Sequence, residues 1–342
     1  MAQASTSGGA LDYPQGLNGE SLLDIYAAMV LVRTLDERVW VLSRQGKAAI
    51  VASAQGHEAA QLGSVWALKD HTPDYFCFTY YRNLAVHLAQ GLSPTEIMSG
   101  FLAKVGEPLS SARQFPLHGA DLSRKIINLS NVVGTHVPHA VGWALAAKMR
   151  GEPTVVATYF GDGATSQGDI HESMNFAAIH KLPVLFLVEN NHYAISVPQS
   201  SQMAVAHVAD RAAAYGMPGV TVDGTDVLAV YQATAEAARR AVAGEGPTLV
   251  EYDVERYLPH TSDDDDSTYR TKEQLEEGRK RDPLLKLQRL LTQEGLLTEE
   301  RDAEYRALAK REIDAATDAS EAAPYPETDG FFEHVYANGS GS

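Results

Sequence analysis

TVVATYFGDGATSQGD (Thr154–Asp169) and PVLFLVENNHYAIS (Pro183–Ser196) decide the fold. Thr154 to Phe160 is β-branched and apolar, and Pro183 to Asn190 is a second continuous apolar run. Between them DIHESMNFAAIHK (Asp169–Lys181) has helical spacing. Two apolar strands joined by one helix predict a right-handed βαβ crossover in a parallel sheet buried on both faces. In such a sheet ligands bind beyond the carboxyl ends of the strands. Gly161-Asp162-Gly163 and Asn190-Asn191 fall at those ends, separated by 26 residues.

Working outward, THVPHAVGWALAAKMRG predicts a buried helix capped by Thr135, with Lys148 and Arg150 in its last turn and Gly151 as its stop. Downstream, Asp226 caps a helix through Gly246, and PTLVEYDV (Pro247–Val254) is a further strand. Residues 21–45 read as a helix from the spacing of Leu22, Ile25, Tyr26, Met29, Val30 and Val39. Ser93-Pro94-Thr95-Glu96 combines a capping box with proline at the first helical position. After Tyr257 the pattern breaks into LPHTSDDDDSTYR, whose four adjacent aspartates predict an exposed loop. Helices opened by Asp282-Pro283 and by Thr298 follow, and FFEHVYAN ends in an apolar cluster of core or subunit-contact type.

The expected organisation is therefore a loose arm over 1–20, one α/β domain over 21–280 with a mostly parallel sheet and helices on both faces, and a helical extension over 281–342. Its 44% hydrophobic and 21% charged residues suit a soluble enzyme with a sizeable core. The net charge of −16 opposes binding to nucleic acid or to an anionic membrane. Cys77 stands alone, so neither an intrachain disulfide nor a cysteine metal cluster is expected, which fits a reducing compartment. The first residues carry neither a basic n-region nor an apolar h-region, and the eight-residue run Ile25–Val32 is too short to span a bilayer. A cytoplasmic enzyme is the expectation.

The chemistry follows from the paired motifs. Glycines let backbone N–H groups approach phosphate oxygens, and the helix after them turns its N-terminus toward the same place. Asp162 and Asn191 offer hard oxygen ligands, as does the carbonyl of Tyr193. With two diphosphate oxygens these nearly fill the octahedral shell that Mg²⁺ requires. A lone GDG is usually a plain strand-end turn; the asparagine pair one crossover away makes that the lesser reading.

This arrangement resembles the thiamine diphosphate fingerprint, GDG followed about 25–30 residues later by NN. The resemblance extends through QGHEAAQLG (from Gln55), TYYRN (from Thr79), LSNVVGTHVPHAVG (from Leu129) and ERYLPHTSDDDDSTYR (from Glu255), over roughly residues 20–340. Together these resemble the alpha subunit of 2-oxo acid dehydrogenases, the last segment being most similar to the branched-chain type.

The resemblance implies roles that the isolated residues would not carry. Tyr81 and Arg82 would hold the diphosphate, with Gly161, Asp162, Gly163 and Ala164 against diphosphate and metal. Asn131 and Val133 would meet the aminopyrimidine, and Asn191 with the Tyr193 carbonyl would complete the Mg²⁺ site. Ser130 and Thr135 match positions that help bind a structural monovalent cation, such as K⁺; alone they are a serine and a helix cap. His260 would stand over the thiazolium as a catalytic group, with Arg256 on the same loop and His118 as a second active-site histidine. On their own, His260 would be a solvated loop residue and His118 a satisfied one. His57, His171 and His180 read as structural.

Two departures stand out. Glu189 occupies a place where animal branched-chain members carry an arginine near the diphosphate, and Thr261 replaces the serine they phosphorylate. The implied activity is oxidative decarboxylation of a 2-oxo acid and transfer of the acyl unit to a lipoyl group on an acyltransferase component. The glutamate that activates the cofactor would come from a beta subunit in an α2β2 heterotetramer, because no pyrimidine-binding domain is visible here. Pyruvate and acetoin are the alternative substrates. A transketolase-like enzyme would need both cofactor domains on one chain, and a nicotinamide Rossmann protein would need a GxGxxG opening that is absent. A noncatalytic nucleotide-binding or interaction module is the reading from another class; stabilisation by thiamine diphosphate with Mg²⁺, against NAD, discriminates it.

Overall fold

The computed structural model describes residues 13–128 and 132–329. The N-terminal arm up to Asp12, Ser130, Asn131 and the FFEHVYAN segment lie outside the described residues. The chain opens with α1 (Gly19–Arg44), capped by the Asn18 side chain accepting from Ser21 N, and α2 (Glu58–His71). Then come β1 (Asp74–Thr79), α3 (Leu84–Ala89) and α4 (Pro94–Phe101), the last with the expected reciprocal Ser93–Glu96 capping box. Strands β2 (Ala120–Asp121) and β3 (Ile126–Asn128) precede α5 (His136–Arg150), which stops at Gly151 in the left-handed conformation. The diagnostic centre is β4 (Thr154–Gly161), a 3₁₀ turn over Asp162–Ser166, α6 (Gly168–Ile179) and β5 (Val184–Asn190). A hairpin of β6 (Tyr193–Ala194) and β7 (Val197–Pro198) leads into α7 (Gln199–Gln202). Next are β8 (Gly219–Asp223), α8 (Val227–Val242) capped by Asp226, and β9 (Thr248–Asp253). Helices α9 (Lys272–Arg279), α10 (Pro283–Gln293) and α11 (Glu299–Ala322) close the described chain.

Seven strands form one sheet in the order β2-β3-β1-β4-β5-β9-β8, parallel except for the β2–β3 pair. The two-residue period of a strand sorts the central side chains between two cores. Val155, Ala157, Tyr159, Leu185 and Leu187 face α2 and α8, whereas Val156, Phe160, Val184, Phe186 and Val188 face α5 and α6. A third apolar cluster joins α1 and α2 to α4, α10 and α11. The two diagnostic strands lie side by side, Gly161 opposite Glu189 in register, so both motif ends emerge together.

Two expectations need correction. Thr135 stands at the N-cap position of α5 but does not cap it with its side chain: it is in the α region (φ −63°), and its hydroxyl donates to the Val132 carbonyl at 3.0 Å. Helix α5 is also buried on one stripe only, with Met149 79% exposed. The aspartate loop exposes Asp263, Asp265, Ser267 and Thr268, as expected, and is also tied down internally. Arg270 donates to the carbonyls of Arg256 and Leu258 and pairs with Asp266, and Ser262 N donates to Val51 O at 2.8 Å. No helix among the described residues is long and apolar enough to cross a membrane.

Candidate functional site

A cavity of about 370 Å³ opens beyond the carboxyl ends of β4 and β5. Its first wall is the GDG turn with the residues after β5. Gly163 is required by close approach, since a Cβ there would sit 2.9 Å from the Ala194 Cβ. Two non-glycine residues in the left-handed region, His192 (φ 68°) and Ile195 (φ 57°), bracket Tyr193 and Ala194 and turn them against the GDG loop. Such conformations cost on the order of 1–2 kcal/mol each and persist where the surroundings enforce them. Here His192 is that enforcement. Its Nε2 bonds Asp253 at 2.7 Å and its Nδ1 meets Gln199 at 3.0 Å, and the Asp253 bond pushes its pKa up to about 9.

On this wall Asp162 is almost fully buried. Its Oδ1 accepts from Asn191 N at 3.4 Å, while its Oδ2 and the Asn191 Oδ1 have no hydrogen-bond partner among the described residues. Burial holds the Asp162 carboxyl above the usual carboxylate range. Buried acceptors without donors are costly unless a cation meets them. One carboxylate and one amide oxygen, with no group of three or more His, Cys, Asp or Glu among the described residues, suit a hard cation that takes its other ligands from a phosphate. The N-terminal ends of α5 and α6 also open here, through Gly134, His136 and Gln167, and favour an anion.

The opposite wall is basic. Arg82, only 1% exposed, donates through Nη1 to Ser53 O at 2.6 Å and through Nη2 to His260 O at 3.1 Å. Its Nη2 also lies 3.4 Å from His260 Nδ1, which makes Nδ1 the acceptor and leaves the proton on Nε2. Burial, then the charges of Arg82 and Arg256, push the His260 pKa down to about 3, so this imidazole is neutral and a donor at its free nitrogen. Tyr81 meets it edge-on, ring centres 5.8 Å apart. Behind this wall Arg256 donates to Ile195 O at 3.0 Å and Tyr269 OH at 2.9 Å. Its Nε and Nη1 are buried with no hydrogen-bond partner among the described residues, and burial lowers its pKa to about 10.

The cavity thus gathers Tyr81, Arg82, Val133, Gly161, Asp162, Gly163, Ala164, Asn191, Tyr193 and His260. Arg256 stands behind it. His118 lies instead in an adjoining recess of about 110 Å³ among Ile50, Ala52, Phe101, Phe115 and Pro116, which shares Tyr81 and His260 with the main cavity. Burial lowers its pKa, and its Nδ1 meets Pro116 O at 2.9 Å. Thr135 does not line the cavity, and Ser130 and Asn131 lie outside the described residues. Sequence reasoning missed Tyr80, His136, Gln167 and Ile195, which line the cavity by adjacency to motif residues.

Residues 26–329 match the family model described as "Dehydrogenase E1 component". The chain belongs to the E1 dehydrogenase family. This E1 dehydrogenase chain is 47% identical over 322 residues to the 2-oxoisovalerate dehydrogenase subunit alpha of Bacillus subtilis, covering 94% of this chain and 97% of that one. It is 44% identical over 306 residues to the pyruvate dehydrogenase E1 component subunit alpha of Staphylococcus aureus, covering 89% and 79% respectively. The corresponding Staphylococcus epidermidis protein is 42% identical over the same length. The E1 chain is accordingly an enzyme subunit of alpha type, and its family implies thiamine diphosphate as cofactor.

Proposed function

We propose that this chain is the alpha subunit of a branched-chain 2-oxo acid dehydrogenase, the decarboxylating component that passes an acyl group to the lipoyl arm of an acyltransferase. The observation that carries the cofactor reading is the pair of buried, unpartnered oxygens of Asp162 and Asn191 facing a cavity whose other wall holds Arg82 and His260. Mg²⁺ would be held by Asp162, Asn191 and the Tyr193 carbonyl, and the diphosphate by Tyr81, Arg82 and the Gly161–Ala164 turn. Val133 and Asn131 would take the aminopyrimidine, and Ser130 with Thr135 a K⁺ ion. When bound, the cofactor supplies the nucleophilic carbon and electron sink that removal of CO₂ demands.

The chain's own residues do the rest. Arg82 anchors the His260 backbone and holds the ring neutral, so His260 can donate a hydrogen bond from Nε2 to an oxygen in the cavity without carrying a charge. The apolar recess of Ile50, Ala52, Phe101 and Phe115 supports a branched acyl chain over the single methyl of pyruvate, since added methylenes gain affinity only where apolar walls meet them. Residues 21–280 would form the cofactor domain, with 281–342 as its extension, in which α10 packs on α1, and α11 on α1 and α4. A beta subunit would complete the active site in a cytoplasmic α2β2 assembly.

Co-purification with the cognate beta chain, followed by decarboxylation and lipoyl-acylation assays on a panel of 2-oxo acids, tests this. Higher kcat/KM for 2-oxoisovalerate than for pyruvate is expected. The reverse order would move the assignment to the pyruvate type, and steady turnover by alpha chain alone would refute the shared site.

A further inference from the structure

Glu189 is fully buried at the end of β5, one residue before the Asn190-Asn191 pair. Strand parity explains its direction. It continues the face of Leu185 and Leu187, so it points toward α2 and away from the cavity, which it does not line. Four donors from two distant segments converge on it. Its Oε2 is met by His57 Nδ1 at 2.6 Å, Tyr80 OH at 2.9 Å and Gln61 Nε2 at 3.0 Å, and its Oε1 accepts from Asn83 Nδ2 at 2.5 Å. A carboxylate, which only accepts, suits such a cluster.

The donors bracket the two residues that line the basic wall. Tyr80 and Asn83 flank Tyr81 and Arg82, and Gln61, besides meeting Glu189, donates to the Arg82 carbonyl at 3.0 Å and accepts from Ala85 N at 3.0 Å. Meanwhile the strand that carries Glu189 delivers Asn191 to the other wall, and Glu189 itself is in register with Gly161. One side chain therefore fixes the spacing of the two walls. We propose that Glu189 is a positioning residue for diphosphate binding: it locks the Tyr81-Arg82 turn at a set distance from the Asp162–Asn191 metal side. This rests on the cofactor reading above. It also gives a role to the glutamate that stands where animal branched-chain members carry an arginine.

The test is a donor–acceptor swap in the alpha–beta complex, read by calorimetric binding of thiamine diphosphate at saturating Mg²⁺ and by the Tm of the cofactor-free protein. Glu189→Gln puts an NH₂ opposite a donor, and the Oε1 side, facing Asn83 alone, is where it conflicts least. Affinity should fall about tenfold or more, as for other groups that orient ligands from behind. Adding Asn83→Asp supplies an acceptor there while leaving its other oxygen for Tyr80 N, and should return affinity to within about threefold of wild type. A folded Glu189→Gln complex with wild-type affinity overturns the inference, as does a folded double variant that recovers Tm but not affinity. Should Glu189→Gln not fold, Tyr80→Phe decides: weaker binding supports the role, unchanged binding overturns it. If the wild-type complex itself fails to bind thiamine diphosphate, the cofactor reading falls, and the inference with it.

Discussion

Among the described residues, Asp162 Oδ2 and Asn191 Oδ1 on one side of the cavity are buried acceptors without donors; behind the other, Arg256 Nε and Nη1 are buried donors without acceptors. The two sides shift their groups in opposite senses. Burial raises the Asp162 carboxyl, whereas burial and neighbouring arginines depress His260 and Arg256. Neither side satisfies the other: among the described residues the Asp162 carboxyl accepts from Asn191 N, and its Oδ2 meets neither Arg82 nor Arg256. A ligand that brings a divalent cation to one side and anionic oxygens to the other relieves both. The strain is held in place by groups outside the cavity, His192–Asp253 on the first side and the Arg270 clasp of the aspartate loop on the second.

The sharpest way to break this comparison is to remove the acceptor. Asp162→Ala should lower Mg²⁺-dependent affinity for thiamine diphosphate by on the order of 100-fold or more, because no other carboxylate lines the cavity. Calorimetry with and without Mg²⁺ reads the effect, and unchanged affinity would refute the metal assignment. Next, His260→Ala should lower kcat by about 10²–10³-fold while cofactor affinity stays within about threefold, since a positioned hydrogen-bond donor acts along the reaction path. Equal losses in affinity and turnover would make His260 a binding group instead. Arg256→Met should then separate ligand binding from stability. Removing an unpaired buried charge should leave the cofactor-free Tm unchanged or raised, while affinity falls about tenfold. A lowered Tm in the cofactor-free protein would mean that the guanidinium is already satisfied without ligand.

These contrasts were legible in the sequence to different depths. The central strands β4, β5 and β9 read directly, because strands buried on both faces are continuous apolar runs. The edge strand β8 escaped notice because Gly219–Asp223 is half-exposed and carries little apolar signal. Strand β1 escaped because its partners β3 and β4 come from later in the chain. Asp162 and Asn191 were visible because one crossover fixes their spacing. The surroundings of Glu189 were not legible for the converse reason: its partners lie 106 to 132 residues away, and only strand parity shows that it faces them. The aspartate loop was half legible: Asp263 and Asp265 are exposed, as four adjacent acids predict, but nothing in the composition shows that Arg270 and Tyr269 take up Asp266 and Asp264. His118 was placed in the right neighbourhood, but in the apolar recess beside the main cavity.

The smallest effect is also the one that compares the two walls most directly, because pH acts on them with opposite sign. Asp162 has its folded pKa raised, so its unfavourable burial as a carboxylate is absent below the unfolded value near 3.8 and grows as pH rises through the folded value. At neutral pH it therefore destabilises the cofactor-free protein, and Asp162→Asn should raise that protein's Tm by roughly 2–4 °C, a gain that disappears toward acid pH. His260 has its folded pKa lowered to about 3 from 6.5, so the unfolded chain binds a proton that the folded one refuses. Its cost is nil above about pH 6.5 and accumulates as pH falls toward 3, and His260→Gln should raise Tm only in that acid window. From pH 4 to 8 the Tm gain of Asp162→Asn over wild type should therefore grow, while that of His260→Gln should shrink to nothing. Bound thiamine diphosphate and Mg²⁺ should flatten both differences, the metal by meeting the Asp162 carboxylate and the diphosphate by meeting the arginines that hold His260 neutral. Parallel curves for the two variants would mean that the walls are not electrostatic opposites.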